Sequence, residues 1–142
     1  MATVPTTNAE VISLFRRNSG HVPSPYEDDP PPMIIMHTIG ARSGNEHLVP
    51  LRAIPAGDDL IIFGSAHGKT THPDWYYNMK AHPDFQIEIG TETRPVHAVE
   101  VTGEERDRLF TAHKTRYPVF ADYEQRLERT IPVMQLKRSP ES

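Results

Sequence analysis

The chain has 142 residues, enough for one domain with a sizeable core, and its 15 basic and 19 acidic side chains leave a net charge of −4. That balance gives no electrostatic footprint for nucleic acid, and the absence of cysteine excludes disulfides and thiolate chemistry. The longest N-terminal apolar run is too short for a signal peptide or a membrane span, so a cytoplasmic domain without membrane association is expected.

An apolar content of 37% with 14 prolines points to many short elements rather than a helical bundle. Residues 8–18 put Val11, Ile12, Leu14 and Phe15 on one helical face, followed by Arg16 and Arg17, with Gly20 as a stop. A helix this short is expected to pack on its own domain or across a dimer rather than on a membrane. Residues 21–32 carry prolines that remove donors and fix φ, which makes them an extended surface arm anchored by Tyr26. Residues 1–32 thus form a helix and arm, residues 33–138 the main domain, and residues 139–142 a tail.

Met33 to Thr38 reads as a buried strand, and Gly40-Ala41-Arg42-Ser43-Gly44 as a turn with glycines able to take positive φ. A strand over 46–54, a turn over Ala56 to Asp59 and a strand at 60–64 suggest antiparallel neighbours. Pro73 suits the first turn of a helix over 73–81, with His72 or Thr71 as its cap, and the helix stops before Pro83. Phe85, Ile87 and Ile89 alternate with polar residues, and a further strand runs from Arg94 to Val101. Thr102 and Glu105 form an expected capping box for a helix to Arg116 that buries Leu109 and Phe110. The charged run Glu104 to Arg108 reads as a solvated face with paired charges. A short helix over 120–128 and a last strand from Ile131 to Lys137 complete the chain. Six or so strands with two helical insertions imply a mainly β, α+β fold, a split or closed antiparallel barrel.

Residues 60–83 carry the chemistry most densely. An apolar strand empties through Gly64 to Lys69 into a helix start, an arrangement that holds an anion or a polar ring edge, or serves as a plain connection. Trp75, Tyr76 and Met79 at helical spacing read as core, with Trp75 able to serve core and pocket together. The 8 histidines lack the spacing of a zinc set, so no metal is expected.

Gly40 to Gly44, then His72-Pro73-Asp74-Trp75-Tyr76-Tyr77-Asn78-Met79, then Tyr117 to Tyr123 with Arg129-Thr130-Ile131-Pro132-Val133, together resemble the deazaflavin (coenzyme F420)-dependent nitroreductase and quinone reductase family. The resemblance runs from about Ile34 to Leu136. It implies a split β-barrel of the flavin-binding kind, in which reduced deazaflavin, with FMN as second choice, donates hydride to a quinone, a nitro compound or an activated double bond. Arg42 and Ser43 would take the anionic tail of the coenzyme. The ring would lie across Leu48, Val49, Pro50, Leu51 and Arg52, against Ser65, Ala66 and His67, and be closed in by Asp74, Trp75 and Asn78. Tyr117, Phe120 and Tyr123 would wall a small-molecule acceptor, with Tyr123 ahead of Tyr117 as proton donor. The chain departs from the family pattern at Ala41, Arg52, Ala66 and Phe120. A homodimer is expected of such barrels. The alternatives are a cofactor-free isomerase or cyclase working through Tyr117, Tyr123, His67 or Asp74, and a non-catalytic binder.

Overall fold

The computed structural model describes residues 7–24 and 30–139; the expected Tyr26 anchor and residues 140–142 of the tail lie outside them, as does the side chain of His67. Seven strands make one antiparallel sheet: β1 (Met33–Ile39), β2 (Glu46–Arg52), β3 (Ile54–Ala56), β4 (Asp59–Phe63), β5 (Asp84–Ile89), β6 (Glu92–Val101) and β7 (Val133–Arg138). Their spatial order is β2-β1-β5-β6-β7-β4-β3. The two edge strands, β2 and β3, are separated in the chain by Ala53 alone. A flat sheet cannot hold its opposite edges one residue apart, so this one curls until they meet, and the fold is a split barrel. The strand expected over 46–54 is therefore two. The chain leaves β1's neighbour, crosses the seam at the fully buried Ala53, whose N–H donates to Pro32 O at 2.9 Å, and joins β4.

The period of two in each strand sorts side chains between the barrel interior and its outer faces. Ile34, Met36, Leu60, Ile62, Phe85, Ile87, Val96, Ala98, Met134 and Leu136 fill the interior. Helix α2 (Asp74–Ala81) adds Trp75 and Met79 to the same cluster. On one outer face Ile35 meets Phe15 of α1 (Asn8–Arg17) and Val22. On another, Ile61, Phe63 and Val133 meet Phe110 of α3 (Gly103–Arg116) and, partly buried, Phe120 and Tyr123 of α4 (Val119–Arg126). Each large side chain fully buried in this way contributes about 1.5–3 kcal/mol.

Helix α1 is capped by Thr7, whose Oγ1 accepts from Glu10 N at 3.1 Å, and clamped by Arg16, which donates to both oxygens of Glu88 at 3.1 and 2.8 Å. Two local expectations fail. Pro73 stands just before α2, as its N-cap, and neither His72 nor Thr71 caps it. Thr102 makes no side-chain cap to α3; Gly103 enters that helix at φ +67, and Glu105 is taken by Arg108 one turn on. Arg106, expected on the solvated face, donates instead to Ile131 O at 2.7 and 3.3 Å and lies over the Phe110 ring. It pins α3 to the approach of β7. Among the described residues no helix is long and apolar enough to cross a membrane.

Candidate active site

The registers bring the ends of β1 and β4 to one rim. Ile39 pairs with Glu46, His37 with Gln86, Asp84 with His97, and Val133 with both Val101 and Phe63. The turn after β1 and the loop after β4 therefore share the end of the barrel over which α2 lies. Asn78 of α2 joins the two, its Oδ1 accepting from Ala41 N at 3.0 Å. The turn folds on itself: Gly44 N donates to Gly40 O at 3.0 Å and Asn45 N to Ser43 Oγ at 3.1 Å. A Cβ on Gly40 would lie 2.4 Å from Ser43 Oγ, so only glycine lets this hydroxyl tuck inward. Arg42 is exposed at the tip, and its guanidinium has no hydrogen-bond or ion-pair partner among the described residues.

Between β2 and the upper part of β4 runs the seam of the barrel. Among the described residues β2 pairs only with β1, and β3 covers β4 only as far as Ile61. Two backbone edges thus border the seam. The expected β2 residues contribute this edge rather than their side chains. Val49 and Leu51 pack on the interior core, Leu48 packs towards α1, and Pro50 is half-buried. Arg52 turns away, donating to Val22 O at 2.7 Å and Pro31 O at 3.1 Å, where it holds the N-terminal arm.

Across the seam, Ser65 is 8% exposed and Ala66 has φ +52, a left-handed conformation rare outside glycine. Gly68 follows at φ +80, and a Cβ there would come 2.7 Å from the Tyr123 ring, so α4 rests directly on this loop. Phe120 stands edge-on to Tyr123 at 5.5 Å and to Phe63 at 6.2 Å. Tyr117 lies further back, against His113 at 5.0 Å. Trp75 is in the core, its ring 3.5 Å from where a Gly64 Cβ would stand, while Asp74 is exposed at the helix start.

Arg129 was visible in the sequence only as part of a motif, and the structure gives it a distinct place. Its guanidinium donates to Gly64 O, Ser65 O, Lys69 O and His72 Nδ1. Burial, and then the Arg129 charge, hold the His72 imidazole below its ordinary range. On the far side of His72, a cleft of about 460 Å³ is lined by Tyr76, Glu100, Thr102 and Arg106. Burial opposes ionisation of Glu100, but bonds from Lys80 at 2.7 Å and Tyr76 Oη at 3.0 Å outweigh it and hold the carboxyl below its usual value. Among the described residues no three histidine or carboxylate side chains are grouped to hold a metal.

A curled antiparallel sheet, open along one seam and flanked there by the turn that carries Arg42 and by the Phe120–Tyr123 ring pair, defines a split-barrel protein. The chain belongs to the F420H(2)-dependent quinone reductase family, a family of oxidoreductases, whose sequence profile matches residues 8–138. A protein of Mycobacterium tuberculosis provisionally named an F420H(2)-dependent quinone reductase is 34% identical over 108 residues, 76% of this chain and 91% of its own length. A solved F420-H2 dependent reductase (FDR-A) superposes with a TM-score of 0.66 at 32% identity, over 74% of this chain and 93% of that one. A second solved structure, described as a domain-swapped dimer, gives a TM-score of 0.69 at 28% identity over 89% and 95%.

Proposed function

We propose that this chain is a reductase that uses F420H(2) to reduce a small, planar, electron-poor acceptor, a quinone first and then nitro compounds or activated C=C bonds. The observation that carries the reading is the seam itself, where β2 and the end of β4 have no second strand partner among the described residues, with Arg42 beyond one end and the Phe120–Tyr123 wall at the other, in a chain of this family. When bound, the coenzyme supplies a hydride. The protein supplies position and charge. Arg42, unpartnered in a turn tied to α2, is suited to the phosphate and carboxylates of the tail, and the Ser43 turn gives close backbone approach. The backbone of residues 48–52 and the loop of Ser65, Ala66 and His67 offer donors and acceptors to the polar edge of the ring. Asn78 acts through Ala41, and Trp75 fills the space beneath Gly64.

Tyr123 is the proposed proton donor, with Tyr117 as second choice. Quinone reduction needs one hydride and one proton to reach the hydroquinone, and the Tyr123 ring rests on the loop that borders the seam. Titration of the purified protein with oxidised F420, followed by fluorescence, should show saturable binding; none at tens of micromolar would end the proposal. Arg42→Ala should weaken that binding by ~1.5–3 kcal/mol while leaving Tm unmoved, because an exposed unpaired arginine contributes little to folding. Family membership removes the support for a cofactor-free acid–base enzyme.

A homodimer is proposed alongside, supported by the solved relative described as a domain-swapped dimer. Light scattering at high protein concentration should give twice the chain mass, and a strict monomer would refute it.

A further inference from the structure

The loop from Gly64 to Lys69 is gathered from one side by a single residue. Arg129 Nη1 donates to Gly64 O at 3.0 Å, Nη2 to Ser65 O at 2.7 Å and Nε to Lys69 O at 3.1 Å. A trans peptide sets its C=O and the following N–H in opposite directions. With the carbonyls of Gly64 and Ser65 turned to the guanidinium, the N–H groups of Ser65 and Ala66 must face away from it. Neither N–H has an acceptor among the described residues, although Ser65 is 8% exposed. A buried backbone donor without a partner is costly, and nearly all such groups in folded proteins are satisfied. Ala66 at φ +52 belongs to the same arrangement, since an alanine stays in that region only where its surroundings impose it.

We infer that Arg129 is the positioning residue of the reductase site, turning the Ser65 and Ala66 N–H groups outward as a paired donor for the carbonyl edge of the coenzyme ring, and that His72 is the acceptor that keeps Arg129 in place. This rests on the F420 reading above. Arg129 Nη1 also donates to His72 Nδ1 at 2.9 Å. Arginine has no acceptor atom, so Nδ1 must be unprotonated, and an imidazolium at position 72 would lose the bond and repel the guanidinium. The other groups around His72 are Tyr76 and Tyr77 of α2, Glu100 of β6, and Arg106 and Asp107 of α3 across the cleft. Glu100, the anion acting on this ring, is already engaged by Lys80 and Tyr76. Acidification should therefore open the clasp.

Two readouts test this. In the protein without coenzyme, Arg129→Gln should speed amide hydrogen exchange of residues 64–69 at least tenfold and leave the amides of β1, β5 and β6 unchanged. Arg129→Lys, which keeps the charge but cannot span the same carbonyls, should fall between. With oxidised F420, both variants should bind at least tenfold more weakly. Wild-type affinity should fall as pH is lowered from about 7.5 to 5, below the ordinary histidine range. His72→Asn, whose Oδ1 replaces Nδ1 as acceptor without titrating, should keep the neutral affinity and lose that acid limb. Unchanged loop exchange and affinity in Arg129→Gln, with only a lower Tm, would reduce Arg129 to a structural residue. An acid limb that persists in His72→Asn would overturn the part given to His72. A wild-type protein that binds no F420 refutes the reductase reading, and with it the role towards the coenzyme; the exchange experiment then still decides whether Arg129 orders the loop.

Discussion

His113 of α3 lies face to face with Phe63, ring centroids 3.8 Å apart and planes 9° from parallel, with Phe120 at 4.2 Å and Tyr117 at 5.0 Å. Burial in this aromatic box pushes its pKa down to about 4. The unfolded chain takes up a proton at this residue near the ordinary value of about 6.5, and the folded one does not until much lower pH. The contribution is therefore intact above pH 6.5, is lost progressively as pH falls, and is fully lost below about 4. The full shift would be worth roughly 3 kcal/mol, and on a ring still partly open to solvent, on the order of 1–2 kcal/mol is the better expectation. His113→Phe keeps the stack and removes the titration. The variant should match the wild type within about 1 kcal/mol at pH 7.5 and exceed it at pH 4.5 in urea melts. Equal acid sensitivity in the two proteins would show that the loss comes from the carboxylates alone. Those of Glu88 and Glu100 are the ones to compare, since both are held below their usual range by paired cations and both weaken the fold as they protonate.

At the scale of elements, what was legible in the sequence followed from local period and what was not followed from distant partners. Phe85, Ile87 and Ile89 announce β5 because a half-buried strand alternates, and the packing of Val11, Leu14 and Phe15 on the sheet follows from their shared helical face. Within the chain α1 packs on its own domain, through Phe15 on Ile35 and Arg16 on Glu88. The break at Ala53 left no trace in composition, because β2 and β3 are both extended and their separation reflects pairing with opposite edges of the sheet. The Thr102–Glu105 box had the right letters and lost to an ion pair one turn away. Arg106 and Arg129 were hardest to read for one reason: their partners are backbone carbonyls 25 to 65 residues distant, and a carbonyl has no residue type. The structure gathers the turn, the loop, α2 and α4 at one end of the barrel, while Arg129, which ties the loop, was legible only as part of a motif.

The whole molecule is one curled sheet, open along its seam, around one interior. The central cluster draws on β1, β4, β5, β6 and β7, on Ala53 at the seam and on Trp75 and Met79 of α2, with Val49 and Leu51 of β2 packed against it. No pair of strands can leave without exposing side chains of the others, and the outer clusters share strands with the inner one, through Ile35 beside Ile34 and Phe63 beside Ile62. Unfolding should therefore be all-or-none, as is common for single domains of this size. The chain supplies its own probe, because Trp75 is the single tryptophan and is 7% exposed. Its native emission should lie to the blue of free tryptophan and resist acrylamide quenching, and should move to the red in one step. In a urea titration that step should coincide with the loss of far-UV circular dichroism, which also reports the peripheral helices α1 and α3. A Trp75 transition that follows the dichroism change at higher urea would mean that the helices peel away from a barrel that survives alone. One that precedes it would mean that α2 lifts from the barrel end before the sheet melts. Either result would refute the single cooperative unit that the shared core requires.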